Sequence, residues 1–203
     1  MKLDRAGEPD EPMTNYIKHI QIYKEVNPIV LDTDLLNYLS KVIGRVAIHD
    51  LPIESLELRT YLVPTELLRI HEMVIDRHVK EVMELIMSFN GFKYPIIVDA
   101  RTFTVLDGHH RLKAALKLGL KYVPVFFVDY AKDYIHVTTW RKEFIITKKI
   151  VVTAALRKLL LPPKTSRHIL VGVTNYATFI SLECLRTLKR INLPLITPDI
   201  CLN

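Results

Sequence analysis

Val105–Leu118 reads VLDGHHRLKAALKL. Val105 and Leu106 are apolar and β-prone, Asp107-Gly108 is a turn, and Leu112, Ala115 and Leu116 fall at helical spacing from Arg111 until Gly119 stops the run. The stretch is a strand, a tight turn and the start of a helix. A helix N-terminus offers unpaired N–H groups and the positive end of the helix dipole, so it attracts anions. Gly108 permits a tight turn and close approach of a ligand to the backbone. His109, His110 and Arg111 bring further donors, and a guanidinium can clamp two phosphate oxygens at once. Asp107, at the strand end, suits a role in holding Mg²⁺ or orienting a hydroxyl. Asp-Gly also serves ordinary hairpins, so spacing alone leaves a structural turn open beside a phosphate cradle. Zinc on the His109–His110 pair is disfavoured, because adjacent helical side chains diverge by about 100°.

Working outward, Tyr94–Val98 and Phe103–Leu106 read as strands, with Asp99–Thr102 as a tight hairpin between them. Upstream, Asp76 is placed to cap a helix over His78–Phe89, with Val79, Val82, Met83 and Ile86 on one side and Asn90-Gly91 closing it. Arg59–Val63 is short and β-prone, and Pro64–Leu68 turns into a helical turn. Leu31–Ile43 reads as a helix ended by Gly44; Asn15–Asn27 carries no clear punctuation. Downstream, Val123–Val128 is a buried strand, and Thr147 caps a helix running to about Leu160 before Pro162-Pro163. Lys164–His168 is then a loop, Ile169–Val173 a strand and Ile180–Arg190 a helix. Strands and helices alternate, so the class is α/β or α+β.

The 203 residues, 49% hydrophobic and 25% charged, describe a folded chain with a sizeable core. A formal charge of +6 favours anionic partners such as nucleotides, nucleic acid or acidic lipid. The cations are scattered as singles and pairs, with no basic tail. Cys184 and Cys201 lack metal-ligand spacing and read as free thiols in a reducing compartment, with a single disulfide between them as the alternative. The opening MKLDRAGEPDEP is no signal peptide, and no apolar run approaches the roughly 20 residues of a membrane span, so a cytoplasmic protein is expected. Gln21, alone of its kind, hints at a thermophilic source.

An apolar strand, a Gly-x-His-Arg turn and an Ala/Leu-rich helix together resemble the ParB/sulfiredoxin superfamily. More narrowly, HEMVIDRHVKEVMELI (71–86), YPIIVD (94–99), VLDGHHRLKAALKLG (105–119), VPVFFVDY (123–130), TTW (138–140) and PPKTSRH (162–168) resemble the archaeal free L-serine kinases. The resemblance spans about 61–168 and is specific in DGHHR and PPKTSRH. It implies a ParB/sulfiredoxin-like core, a small mixed sheet with flanking helices, over 58–138. An N-terminal extension over 1–57 and a C-terminal α/β substrate-binding segment over 139–203 flank it.

The implied activity is transfer of a phosphoryl group from ADP or ATP, with Mg²⁺, to the hydroxyl of free L-serine. In that reading Glu72 and Asp107 stand at the reacting centre. Gly108, His109, His110 and Arg111 hold phosphate, and Asp107 is the candidate magnesium contact. Trp140 lines the substrate pocket, and Lys164, Thr165, Ser166, Arg167 and His168 close over the substrate. By itself, Glu72 reads as a solvated acid near a helix start, Trp140 as core, and His71, His78 and His136 as structural or surface residues.

Three other readings use the same residues. A ParB-like DNA-binding or nuclease protein fits the charge, but the chain has no convincing helix–turn–helix pair and its turn is not Gly-Glu-Arg-Arg. Sulfiredoxin chemistry needs a cysteine where His109 stands. A non-catalytic nucleotide sensor would keep the cradle alone.

Overall fold

The computed structural model describes residues 56–141, 143–173, 176–188, 193 and 195–201. The expected helix at Leu31–Ile43, the stretch Asn15–Asn27 and nearly all of the expected extension lie outside these residues.

A four-stranded sheet forms the centre, in the order β1 (Thr60–Pro64), β5 (Tyr122–Val128), β3 (Ile96–Asp99), β4 (Val105–Asp107). β5 runs antiparallel to β1 and parallel to β3, and β3 runs antiparallel to β4. β5 is buried at every residue, as a central strand covered on both faces must be. Helices α1 (Asp76–Ser88) and α2 (His109–Lys117) pack together, and α1 buries Val79 and Ile86. The fold is thus the mixed sheet with flanking helices that the sequence suggests.

The Asp99–Thr102 hairpin has a buried keystone. Asp99 Oδ2 accepts from Thr102 N and Oγ1, and Oδ1 accepts from Tyr130 N on the far side. Phe103 follows with φ 56°, a left-handed backbone that this anchoring holds in place. The β3–β4 register then shifts between Ile97 and Val98, which pair with Asp107 and Val105. Such a bulge re-aims side chains beside a site; here it sits at the base of the DGHHR turn.

The C-terminal part of the chain is woven into the same core. β8 (Ile180–Ser181) pairs with β2 (Gly91–Phe92), and α4 (Leu182–Thr187) places Leu182 and Leu185 among the core residues of β1, β3 and β5. β6 (Ile135–Thr138) and β7 (Arg167–Leu170) form a separate hairpin-like pair, and α3 (Lys148–Leu156) buries Val151 and Val152 beneath it.

Several local expectations need correction. Asp76 does not cap α1; the N-cap is Ile75, without a side-chain cap, and Asp76 is the first helical residue. Leu116 is 49% exposed and Ala114 is buried with Leu112 and Ala115, and α2 begins at His109, two residues earlier than periodicity indicated. Thr147 does cap α3, accepting from Ile150 N, but the helix stops at Leu156 and Lys158 turns left-handed at φ 56°. The strand expected at Ile169–Val173 begins at Arg167, and the last helix is shorter than Ile180–Arg190. Cys184 and Cys201 are joined in a disulfide, not free. Among the described residues no helix is long and apolar enough to cross a membrane.

Candidate functional site

A cavity of about 630 Å³ opens where the C-terminal end of β4, the N-terminus of α2, one side of α1 and the 164–168 segment meet. Its size lies in the usual range for small-molecule sites. One end is polar, with Glu72, Asp107, Gly108, His109, Ser166 and His168. The other is apolar and aromatic, with Val82, Leu85, Ile86, Phe89, Phe92 and Tyr94. Leu85, Phe89 and Tyr94 are each about half exposed there, with Lys93 lying 5.5 Å from the Phe89 ring centre.

At the polar end, Gly108 adopts φ 99° as the N-cap of α2, and no side chain caps the helix. The first N–H groups of α2 therefore have no side-chain acceptor and belong to residues that line the cavity. A Cβ on Gly108 would meet the Arg111 guanidinium at 3.1 Å and would also strain this backbone.

Arg111 braces the turn. Its Nη1 donates to Tyr94 O and Pro95 O at 3.1 and 2.6 Å, and its Nη2 donates to Asp107 Oδ2 at 2.5 Å. Nη1 and one Nη2 hydrogen of this guanidinium are thus taken by the protein's own acceptors. His110 Nε2 accepts from Ile75 N, which leaves its other nitrogen as the donor. Burial lowers the His109 imidazole to about 3, so it is neutral at ordinary pH, and His110 is also lowered by burial and by His78. The donors that this turn presents to the cavity are backbone N–H groups, not charged histidines.

Glu72 is delivered by an extended segment, 69–73. Arg69 N donates to Phe103 O and Arg69 O accepts from Val105 N, which lays the segment along β4. Leu161 N donates to His71 O and Met73 N donates to Leu161 O, tying the other side to the 161–168 segment. Glu72 is only 8% exposed, not a solvated surface acid. Its Oε1 accepts from Lys164 N at 2.7 Å, and its Oε2 accepts from Ser166 N and Ser166 Oγ, both at 2.9 Å. Lys164 stands at φ 61°, a left-handed conformation unusual for a lysine, in the turn that brings its N–H to Glu72. Burial raises the Glu72 carboxyl above its ordinary range, against the pull of the Ser166 and Lys164 donors.

The remaining expected residues divide. Ser166, Lys164, Arg167 and His168 line the cavity. Trp140 is 59% exposed at its rim rather than in the core, with the Arg167 guanidinium 4.3 Å from its ring centre. Thr165 departs from expectation: it is fully buried, and its Oγ1 donates to Pro162 O, so it shapes the turn instead of facing a substrate. Arg167 and His168 belong to β7 rather than to a loop.

His71, read as structural or surface, is fully buried beside the centre of the site. Its Nε2 lies 2.8 Å from Ser166 Oγ, and its ring meets His109 edge-on at 4.6 Å and His168 at 6.0 Å. Burial lowers His71 well below the usual imidazole range and His168 to about 3. His168 Nε2 pairs with the Tyr130 hydroxyl at 2.7 Å. The sequence signal for His71 was its adjacency to Glu72; a lone histidine carries no periodicity to mark it further.

Among the described residues, no group of His, Cys, Asp or Glu side chains is arranged to hold a metal by itself. Asp107, 58% exposed at the cavity wall, offers one carboxylate. That fits a magnesium ion held mainly by phosphate oxygens and water, and does not fit an all-protein metal site.

No protein-family model matches the chain. It is 41% identical over 75 residues to a ParB-like protein of Sulfolobus acidocaldarius, covering 37% of each chain. It is 30% identical over 122 residues to an ATP-dependent L-serine kinase of Desulfurococcus mucosus, covering 58% of this chain and 47% of that one. The chain thus spans less than half the length of these curated relatives. Its fold is shared with a free serine kinase solved in complex with AMP, at a TM-score of 0.57 and 17% identity, over 68% of this chain and 97% of that one.

Proposed function

We propose that this chain is a free L-serine kinase that transfers a phosphoryl group from ADP or ATP to the serine hydroxyl, giving O-phospho-L-serine. The observation that carries the reading is the placement of the buried Glu72 carboxylate in the same cavity as the uncapped N-terminus of α2. Similarity to the ATP-dependent L-serine kinase, and the fold held in common with the AMP-bound free serine kinase, support it.

In this mechanism the backbone N–H groups at Gly108–His110 hold the phosphates, and the apolar end of the cavity receives the base. The serine hydroxyl gives its proton to Glu72, whose burial makes it a better base than a free carboxylate. The hydroxyl oxygen bonds to the terminal phosphorus while the bond from that phosphorus to the bridging oxygen breaks. The electron pair leaves with the nucleotide, as AMP from ADP or ADP from ATP. The chain's own contribution is positioning and charge stabilisation, which is most of what phosphoryl transfer requires. Magnesium, with Asp107 as its protein contact, supplies charge neutralisation on the phosphates when bound. Arg167, stacked on Trp140 beside the cavity, takes the serine carboxylate in this mechanism.

Incubation with L-serine, Mg²⁺ and either ADP or ATP, read by mass spectrometry, tests the proposal. O-phosphoserine with one donor supports it and identifies that donor. Nucleotide binding without product from either donor replaces it with the sensor reading, and product from other small alcohols alone removes serine as the acceptor.

A further inference from the structure

Ser166 Oγ stands between two partners, Glu72 Oε2 at 2.9 Å and His71 Nε2 at 2.8 Å. A hydroxyl has one proton, and an ionised carboxylate only accepts. With Glu72 ionised, the Ser166 proton must lie on Glu72, so His71 must donate to Ser166 from Nε2. In the other tautomer Nε2 would be an acceptor and would draw the Ser166 proton away, leaving two oxygen lone pairs facing across 2.9 Å. On the other side of the ring, Nδ1 is buried and closes no hydrogen bond of its own.

We propose that His71 is a positioning residue: neutral and protonated on Nε2, it donates to Ser166 Oγ and turns the Ser166 hydroxyl proton onto Glu72, keeping that carboxylate ionised and aimed. The role deepens the kinase reading and rests on it for its catalytic meaning; the hydrogen-bond chain itself does not depend on the reaction. His71 is fully buried, so no water competes at the imidazole end of the chain, while Glu72 and Ser166 face the cavity. Other titratable groups surround the pair from each neighbouring element. His109 lies at the start of α2, His168 on β7, Lys164 on the turn before β7, and Asp107 with Arg111 on the cavity wall. The buried imidazoles among these are held neutral, so the ionisation of Glu72 rests on donated hydrogen bonds.

The test combines kinetics with a measurement that needs no turnover. His71→Leu fills the volume and removes the donor; His71→Gln keeps an N–H donor near the Nε2 position. In H71L the Glu72 carboxyl, followed by ¹³C NMR, should titrate about one pH unit higher, and kcat at neutral pH should fall roughly tenfold or more with KM for nucleotide within about threefold. The acid limb of the kcat profile should move up with it. H71Q should restore both toward the parent. In the unaltered protein, long-range ¹H–¹⁵N spectra should show His71 as the Nε2–H tautomer from about pH 5 to 8. An Nδ1–H tautomer, an unmoved Glu72 titration in H71L, or equal impairment of H71Q and H71L overturns the proposal. The tautomer reading also holds if the Leu variant fails to fold. If the Glu72 titration shifts as stated while neither donor phosphorylates serine, the kinase reading falls and the positioning role stands.

Discussion

Arg111 and Asp107 form an ion pair four residues apart, Nη2 to Oδ2 at 2.5 Å, across the Gly108 turn. The pair ties the last residue of β4 to the first turn of α2, and the same guanidinium holds the Tyr94 and Pro95 carbonyls. The turn is therefore rigid before any ligand arrives, which is the condition for effective charge stabilisation.

Arg111→Lys keeps the charge and loses the fork. It should cut kcat/KM by at least roughly tenfold, mostly through a higher KM for nucleotide, and cost about 1 kcal/mol of stability. Steady-state kinetics and thermal unfolding of the same sample check both. Unchanged kinetics with lowered stability would confine Arg111 to a structural role.

Glu72→Gln removes the proton acceptor and puts an N–H₂ group beside the N–H donors of Lys164 and Ser166. Turnover should fall by about 10²–10⁴ while nucleotide affinity stays within about threefold. Trp140, the sole tryptophan and 59% exposed at the rim, is a fluorescence probe for the binding measurement. Full activity would take Glu72 out of the reaction.

Stability should fall on acidification. Burial depresses His71, His109 and His168 in the folded state, two of them to about 3, while the unfolded chain titrates near 6.5. Above about pH 6.5 neither state is protonated and the groups are neutral to folding. Between about 6.5 and 3 the unfolded chain binds more protons, so each histidine costs about 1 kcal/mol per pH unit through that window. The raised carboxyls of Glu72 and Asp99 act in the opposite sense, favouring the folded state as pH falls through their range. Urea titrations from pH 4 to 7 should show a net loss toward acid, shallower by about one proton in His109→Gln. A flat profile would mean that the buried imidazoles are hydrated or charged.

The Cys184–Cys201 bond closes a separation of 17 residues and ties α4 to the 3-10 turn Pro198–Cys201. Reduction, or Cys201→Ser, should cost about 3 kcal/mol by loss of loop constraint. Thermal unfolding with and without reductant measures it. The cavity lies away from this bond, so kinase activity at low temperature should persist.

What was legible in the sequence followed from strong local signals. Alternation and turn chemistry marked β3, the Asp99–Thr102 hairpin, β4 and α2, because Asp-Gly and buried aliphatic runs constrain the backbone directly. Thr147 was legible as a cap for the same reason. Helix ends were less so: α3 stops at Leu156 because Lys158 turns left-handed, and nothing in RKLLL forbids a further turn. The site was legible as a set of residues through resemblance, but not as a geometry. Which atoms face Glu72, the turning away of Thr165, and the place of His71 depend on contacts across 90 or so residues of chain, such as the Ser166–Glu72 bonds at a separation of 94. Periodicity holds no record of such pairs.

Glu72 and its donors belong to widely separated parts of the chain, and this has a consequence for a nascent polypeptide. A chain emerging from the ribosome completes the Gly108 turn while Lys164 and Ser166 are still unmade. At that point Glu72 has neither its hydrogen bonds nor the Leu161 bridge that holds it beside β4. The residues of the Gly108 turn are made early in synthesis and the donors to Glu72 only later, so an interrupted chain would carry the turn without the hydrogen-bonded carboxylate.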